Sequence, residues 1–292
     1  MHKNILAYIY RRLKILFLFL VLFSLSSGLV FAKDFALEKK PLYEYGMGAG
    51  GGFLSDYPAS DQSHWRGLPF PYFIYRGAIF RADQRKGTRA RLIRAEAYEL
   101  ALSGAGSFPA NSEENTARNG MPDLDWMGEV GPRLIIELDD GENPWHTFMN
   151  LPIRFVFATD LKTLTSQGFT FTPSVVFECY GLLHRDSRLA FEVTFNFSDQ
   201  TLGKYFYEVE TPYVSAVRPA YNARAGYMGT DFQVRFLHPV YDTMRAFTGF
   251  NVSYYGGAVN DESPLFRSLW GYDFSVGLIW VIGTSKEMAN EE

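Results

Sequence analysis

The stretch FTFTPSVVFECYGLLHRDSRLAFEVTFNFS, from Phe169 to Ser198, sets the period on which the fold turns. On its first arm Phe169, Phe171, Pro173, Val175, Phe177 and Cys179 alternate with Thr170, Thr172, Ser174, Val176, Glu178 and Tyr180. On its second arm Leu189, Phe191, Val193, Phe195 and Phe197 alternate with Arg188, Ala190, Glu192, Thr194 and Asn196. Successive side chains on a strand point to opposite faces, so each arm has one apolar and one mostly polar face. His184, Arg185, Asp186 and Ser187 supply turn chemistry between the arms, and the unit reads as a β-hairpin. A soluble sandwich shows the same alternation. Which face meets water separates the two readings.

Outward from this hairpin the alternation recurs at intervals of roughly twenty residues. Strands are expected over 42–55, 68–75, 78–84, 91–104, 125–139, 146–158, 168–180, 188–198, 202–210, 222–236, 243–256 and 269–282. That makes about twelve, or ten if the weaker third, fourth and ninth merge with neighbours. In the last, Trp270 and Trp280 share a face with Phe274, Val276 and Leu278 between them. At ~3.3 Å per residue the two indoles stand roughly 33 Å apart along the strand. A tilt of about 40° projects this to around 25 Å, the height of the apolar band of a transmembrane barrel. Aromatic residues at both ends of an aliphatic centre suit two membrane interfaces, and the aromatic content of 17% fits such girdles. Glu129, Arg133, Glu137, Arg154, Glu178, Arg188, Glu192, Asp231 and Arg235 fall on the opposite face. Charge there is costly in a dry core and tolerable in a wet lumen. The fold class expected is all-β, a transmembrane antiparallel up-and-down β-barrel, whose even strand count places both ends in the periplasm.

The chain opens with Lys3, Arg11, Arg12 and Lys14, then an apolar run from Ile15 to Val30 that ends in Phe31-Ala32 before Lys33. This is the pattern of a secretory signal peptide cut between Ala32 and Lys33. The run is short of the ~20 residues of a membrane-spanning helix. Three segments follow: a signal peptide over 1–32, the barrel over 33–283 and a short tail over 284–292. The leader carries four basic and no acidic side chains, so its removal takes the net charge from −4 to −8. That balance excludes nucleic acid as a partner, since phosphate binding needs clustered Lys and Arg. Cys179 is the single cysteine, so no internal disulfide forms. The five histidines show no ligand spacing, and neither metal nor cofactor is expected. Gly46, Gly48 and Gly51 match a dinucleotide fingerprint as a string, but Asp56-Tyr57-Pro58 follows where a helix should open. In strand register Gly46, Gly48, Gly50 and Gly52 instead form a smooth inward stripe that leaves room for larger side chains opposite. No nucleophile, base and orienting group stand out, for His64 beside Ser63 and His184 near Ser187 are loop neighbours. No enzyme is expected.

Two blocks go beyond generic barrel grammar. One runs from Gly46 to Gly52 through Asp56-Tyr57-Pro58-Ala59-Ser60-Asp61-Gln62 into Leu68-Pro69-Phe70-Pro71-Tyr72, Tyr75-Arg76-Gly77 and Phe80-Arg81-Ala82-Asp83. The other holds Pro109-Ala110-Asn111-Ser112, Asn115, Ala117-Arg118 and Gly120-Met121-Pro122-Asp123-Leu124-Asp125, ending in Glu129-Val130-Gly131-Pro132-Arg133-Leu134. With Tyr221-Asn222-Ala223 and the loop from Ala258 to Pro264, the chain resembles the MipA/OmpV family of outer-membrane proteins. The resemblance implies an outer-membrane barrel of a Gram-negative bacterium, surrounded by outer-membrane lipid. For the best-known member it also implies a scaffold joining a murein synthase to a lytic transglycosylase in peptidoglycan assembly. A narrow channel or a solute- or antibiotic-binding barrel is the first alternative, a surface adhesin the second. The chain departs from the pattern of barrels that end on an aromatic residue. Its last strand stops near Ile282, and the tail after it is read as a disordered periplasmic extension.

The loop from Ala105 to Leu124 is the candidate site. Four strands are expected before it, and that parity places it in the periplasm. Asn111, Asn115, Arg118, Met121, Asp123 and Asp125 are therefore the expected surface for periplasmic partners. For the charged lumen the bland reading is mutual ion pairing that fills the barrel; the functional one is a charged channel.

Overall fold

The computed structural model describes residues 40–77, 80–83, 87–95, 97–139 and 145–289. The expected leader and its cut between Ala32 and Lys33 lie outside them. Within them thirteen strands form one sheet: β1 (Tyr43–Ser55), β2 (Ser63–Arg76), β3 (Phe80–Asp83), β4 (Gly87–Arg94), β5 (Tyr98–Ser107), β6 (Trp126–Glu137), β7 (Trp145–Thr159), β8 (Leu164–Phe171), β9 (Ser174–Tyr180), β10 (Arg188–Ser198), β11 (Gly226–Tyr241), β12 (Met244–Tyr254) and β13 (Trp270–Thr284). Each pairs antiparallel with its neighbours, β1 pairs with β13, and the sheet closes on itself.

The barrel has twelve staves, because β8 and β9 are one stave interrupted at Thr172-Pro173. Both halves pair with β7 on one side and β10 on the other. Proline has no N–H to give to a ladder, so the run breaks there. Bonding resumes at once: Thr172 donates its N–H to the Pro152 carbonyl and the Pro173 carbonyl accepts from Phe195.

The expected count of twelve holds, but by two compensating errors. The segment 91–104 is not one strand; it contains the turn between β4 and β5. The segment 202–210 is not a strand either. Gln200–Tyr207 is a helix, α1, capped by the Asp199 carboxylate, which accepts from the Leu202 N–H at 3.0 Å. Leu202 and Phe206 lie four apart on its buried face, a spacing that alternation-counting overlooks. β2 also starts five residues earlier than expected, at Ser63.

The apolar face looks outward, as expected. Along β13 Trp270, Tyr272, Phe274, Val276, Leu278, Trp280 and Ile282 are all exposed, Trp280 at 56%, whereas inward Glu178 on β9 is 0% exposed. A water-soluble protein shows the reverse. No described helix is long and apolar enough to cross a membrane, so any crossing is made by strands. The glycine stripe of β1 does what a smooth face should: a Cβ on Gly48 would lie 2.4 Å from the Phe70 ring, and one on Gly50 2.7 Å from Phe247. Those two rings meet inside the barrel at 6.4 Å.

The tail is not a loose extension in the described residues. Ser285 N–H bonds to the Tyr43 carbonyl, Leu42 N–H to Glu287, and Ala289 N–H to Lys40. Residues 285–289 thus tie the C-terminal end to the start of the barrel.

Candidate functional site

Among the described residues the three longest connections between strands lie at the end opposite the two chain ends. Residues 56–62, 108–125, 199–225 and 255–269 follow staves one, five, nine and eleven, and they fold together into a cap. Its core is Tyr57, Ala110, Leu124, Leu202, Phe206, Tyr207, Val209, Ala223 and Leu265, packed down onto Val156 and Met228 of the barrel. Tyr57 donates its hydroxyl to the Leu265 carbonyl at 2.8 Å, Tyr207 donates to Pro58 at 2.9 Å, and Ser263 donates to Tyr207 at 2.7 Å. Burial raises the pKa of the Tyr57 and Tyr207 phenols and pushes Tyr255 up to about 12.

The expected partner surface belongs to this cap, and two corrections follow. Five strands precede the loop, not four, because β4 and β5 are separate; its parity is therefore opposite to that expected. Asn115 and Arg118, moreover, are 1% and 4% exposed. Asn115 Nδ2 donates to Asp56 Oδ2 at 2.7 Å and to Ser60 Oγ at 3.2 Å. Arg118 donates to Ser112 Oγ and to the carbonyls of Phe206 and Pro122, and its guanidinium lies over the Tyr57 ring at 5.7 Å. Burial lowers its pKa. Asp123 is exposed, yet its carboxylate accepts from the Ser112 N–H at 2.7 Å. The Asp125 N–H bonds to the Tyr205 hydroxyl, and Met121 packs on the core. Asn111 is exposed and caps a 3-10 turn, Ser112–Glu114. These residues build the cap; at most Asn111, Met121, Asp123 and Asp125 present part of its surface.

Below the cap the lumen holds contiguous cavities of about 490, 310 and 560 Å³. The charges expected to face inward do so, and most pair. Arg154 bonds Glu129 at 3.4 Å, Arg235 bonds Glu192 at 2.7 Å, and Arg188 bonds the fully buried Glu178. Carboxylates concentrate at the cap end, with Asp56, Glu129, Asp231 and Asp273 on the first cavity, and arginines at the other, with Arg133, Arg154, Arg188 and Arg235 on the last. The inward face is not charged throughout. Toward the chain ends Tyr72, Ile74, Ile279 and Val281 form an apolar cluster. At the same level Glu44 accepts from Arg76 at 2.5 Å and Arg245 at 2.8 Å, and Arg245 bonds the Tyr72 hydroxyl.

A family model described as MltA-interacting protein MipA matches residues 47–282, which is nearly the whole barrel and all of the cap. The chain belongs to the MipA family. Among solved structures, it resembles one titled as the NanC porin at 9% identity, over 81% of this chain and 100% of that one, with a TM-score of 0.37. No curated protein matches it by sequence. Membership in the MipA family and a barrel with an apolar outer belt are consistent with the outer membrane.

In this MipA-family barrel the blocks that carried the resemblance turn out to be one place. Asp56 and Ser60 of the first block bond Asn115 of the second, Gln62 accepts from Thr116, and Tyr221 donates to Asn260. Sequence reasoning saw the blocks but not their contact, because nothing local announces a bond across some fifty residues. It also missed Ser187, whose hydroxyl lies 2.8 Å from Nδ1 of His238. Ser187 is 0% exposed, so this hydroxyl cannot meet a substrate as it stands.

Proposed function

We propose that the protein is a non-enzymatic outer-membrane barrel that anchors peptidoglycan-processing enzymes at its periplasmic end. The observation that carries this is the match of the MltA-interacting family over residues 47–282. The geometry agrees with an anchor better than with an open pore. The cap covers one mouth, and toward the other end the inward apolar cluster and the Glu44–Arg245–Tyr72 contacts narrow the lumen, while the three ion pairs between join neighbouring staves along its wall. With both chain ends in the periplasm, as is usual for even-staved barrels, the cap faces outward. The partner surface then lies on the short turns beside the chain ends, such as Gly181–Ser187, where Leu183, Arg185 and Asp186 are exposed.

The test is capture of a purified lytic transglycosylase and a murein synthase by the detergent-solubilised protein. Two variants accompany it: turn 182–186 replaced by a short glycine-containing turn, and loop 111–123 replaced likewise. Loss of capture with the first and retention with the second is expected. Retention by the first together with loss by the second would reverse the assignment of ends, and no capture by the intact protein would end the scaffold reading.

A further inference from the structure

Among the described residues the wall of the barrel is incomplete on one side. β3 and β4 have 4 and 8 residues, against 14 in β2 and 10 in β5 on either side of them. β3 pairs with β2 only at Tyr75 and Arg76, and β4 pairs with β5 only as far as Ser103. The pairing of β3 with β4 ends at Asp83 with Gly87. Among the described residues nothing therefore pairs with the second edge of β2 from Ser63 to Ile74, or with the facing edge of β5 from Gly104 to Ser107.

The residues on these edges fit an open seam. Asp56 N–H bonds to the Gln62 carbonyl and Arg76 N–H to that of Leu42, and between these pairs the β1–β2 register has no shift. Even-numbered residues of β2 therefore bond to β1, and odd-numbered ones turn their backbone to the seam. Pro69 and Pro71 are odd. A strand with two prolines belongs at an edge, where their missing N–H groups cost no ladder bond and discourage another strand from docking. On β5 the Glu137 N–H bonds to the Ala97 carbonyl, which turns Gly104 and Gly106 to the seam. From Gly104 to Ser107 both faces of β5 are exposed. The seam lies within the apolar belt: Trp65 and Phe73 on its bank are exposed, and through β1 Trp65 lies level with Phe274 of β13 and Pro71 level with Trp280.

Behind the seam lies the 490 Å³ cavity, which touches both banks at Arg66, Gly106 and Ser107. Its roof is apolar, with Leu124, Leu202 and Phe206 of the cap. Its floor carries acid without matching base. Arg66 bonds Asp56 at 2.5 Å and Arg154 bonds Glu129, but Asp231 and Asp273 have only neutral partners among the described residues. Asp231 accepts from Asn196 and Ser253, and Asp273 from the Ser55 N–H and Asn251. A volume of this size, apolar on one side with convergent polar groups on the other, is that of a small-ligand site.

We propose that the seam admits a single-chain amphiphile with an amine head laterally from the membrane. The ammonium group sits against Asp231 and Asp273, and the chain runs under the cap and out between β2 and β5. A second protein strand is excluded by the prolines, and an anionic head by the unpaired carboxylates. The inference rests on the bilayer placement proposed above and not on any enzyme partner. Vesicle flotation and a heat-dependent gel shift report that placement separately.

The test uses the full-length barrel in neutral phosphatidylcholine vesicles with dodecylamine bearing a photoreactive diazirine near its head. Cross-links are expected at Met228 or Tyr255, which line the cavity. Asp231→Asn with Asp273→Asn should lower their yield at least tenfold. Ala105→Trp, at an exposed position on the seam, should slow their appearance, and the equivalent sulfate-headed chain should not give them. Cross-links confined to outward residues such as Phe232 and Phe274 would overturn the proposal, as would unchanged yield in the double variant. Equal labelling by a short water-borne butylamine analogue, insensitive to Ala105→Trp, would overturn the lateral route. A heat-dependent gel shift shows that each variant keeps its barrel. Should the aspartate variant not fold, Ala105→Trp and the sulfate comparison still decide.

Discussion

Removing one amide from the cap should loosen the cap and leave the barrel intact. Asn115→Ala deletes the donor that bonds the buried Asp56 carboxylate at 2.7 Å and Ser60 at 3.2 Å. It also deletes the acceptor for the N–H groups of Ala117 and Arg118. A hydrogen bond to a charged group contributes roughly 1.5–3 kcal/mol, and the lost turn bonds add about 0.5–1 kcal/mol. Asp56 retains His64 at 2.8 Å and Arg66 at 2.5 Å, so its charge is not stranded and the estimate needs no larger penalty. A loss of about 2–4 kcal/mol raises the population of opened cap roughly 30- to 1000-fold. When opening is fast compared with cleavage, proteolysis follows that population. Trypsin cutting after Arg118 or Lys204, both in the cap, should therefore accelerate by a similar factor, while the heat-dependent gel shift of the barrel stays unchanged. Asn119→Ala is the control, since Asn119 is exposed and its side chain makes one bond, to the Glu113 carbonyl. Equal protection of Asn115→Ala and the parent would refute the cap as an independently opening unit. Loss of the gel shift would refute its independence from the barrel.

Other outcomes follow from the same structure. Asn111→Cys should react with an impermeant maleimide in intact cells, with no competition from the buried Cys179; reaction only after permeabilisation would place the cap in the periplasm. In planar bilayers the protein should conduct poorly, and replacing residues 200–223 by a short linker should raise the conductance severalfold. An already large conductance in the intact protein would contradict the capped mouth. Glu178→Leu removes the buried carboxylate that Arg188 bonds and should cost about 3–5 kcal/mol, whereas adding Arg188→Leu should restore much of it. A denaturant-unfolding double-mutant cycle checks this, and strictly additive losses would show that the two groups do not interact.

The barrel was legible in the sequence because its cause is local. Alternation with period two writes the two faces of each stave directly into the chain, as from Phe169 to Ser198, and Trp270 and Trp280 mark the height of the belt. The inward glycine stripe of β1 was legible for the same reason. Elements that depend on the partner were not. Leu202 and Phe206 read equally as strand or helix until the Asp199 cap and the packing beneath settle it, and one turn hidden in 91–104 was enough to invert the parity of the loop after it. Asn115 and Arg118 look like surface residues in sequence, since polar side chains in a loop carry no mark of burial. Only folding brings Asp56, Phe206 and Pro122 around them. The unpaired edge at Pro69 and Pro71 is of the same kind. Proline announces that a ladder bond is missing, but which side of the strand lacks its neighbour is a property of the closed sheet, fixed by hydrogen bonds between residues far apart along the chain.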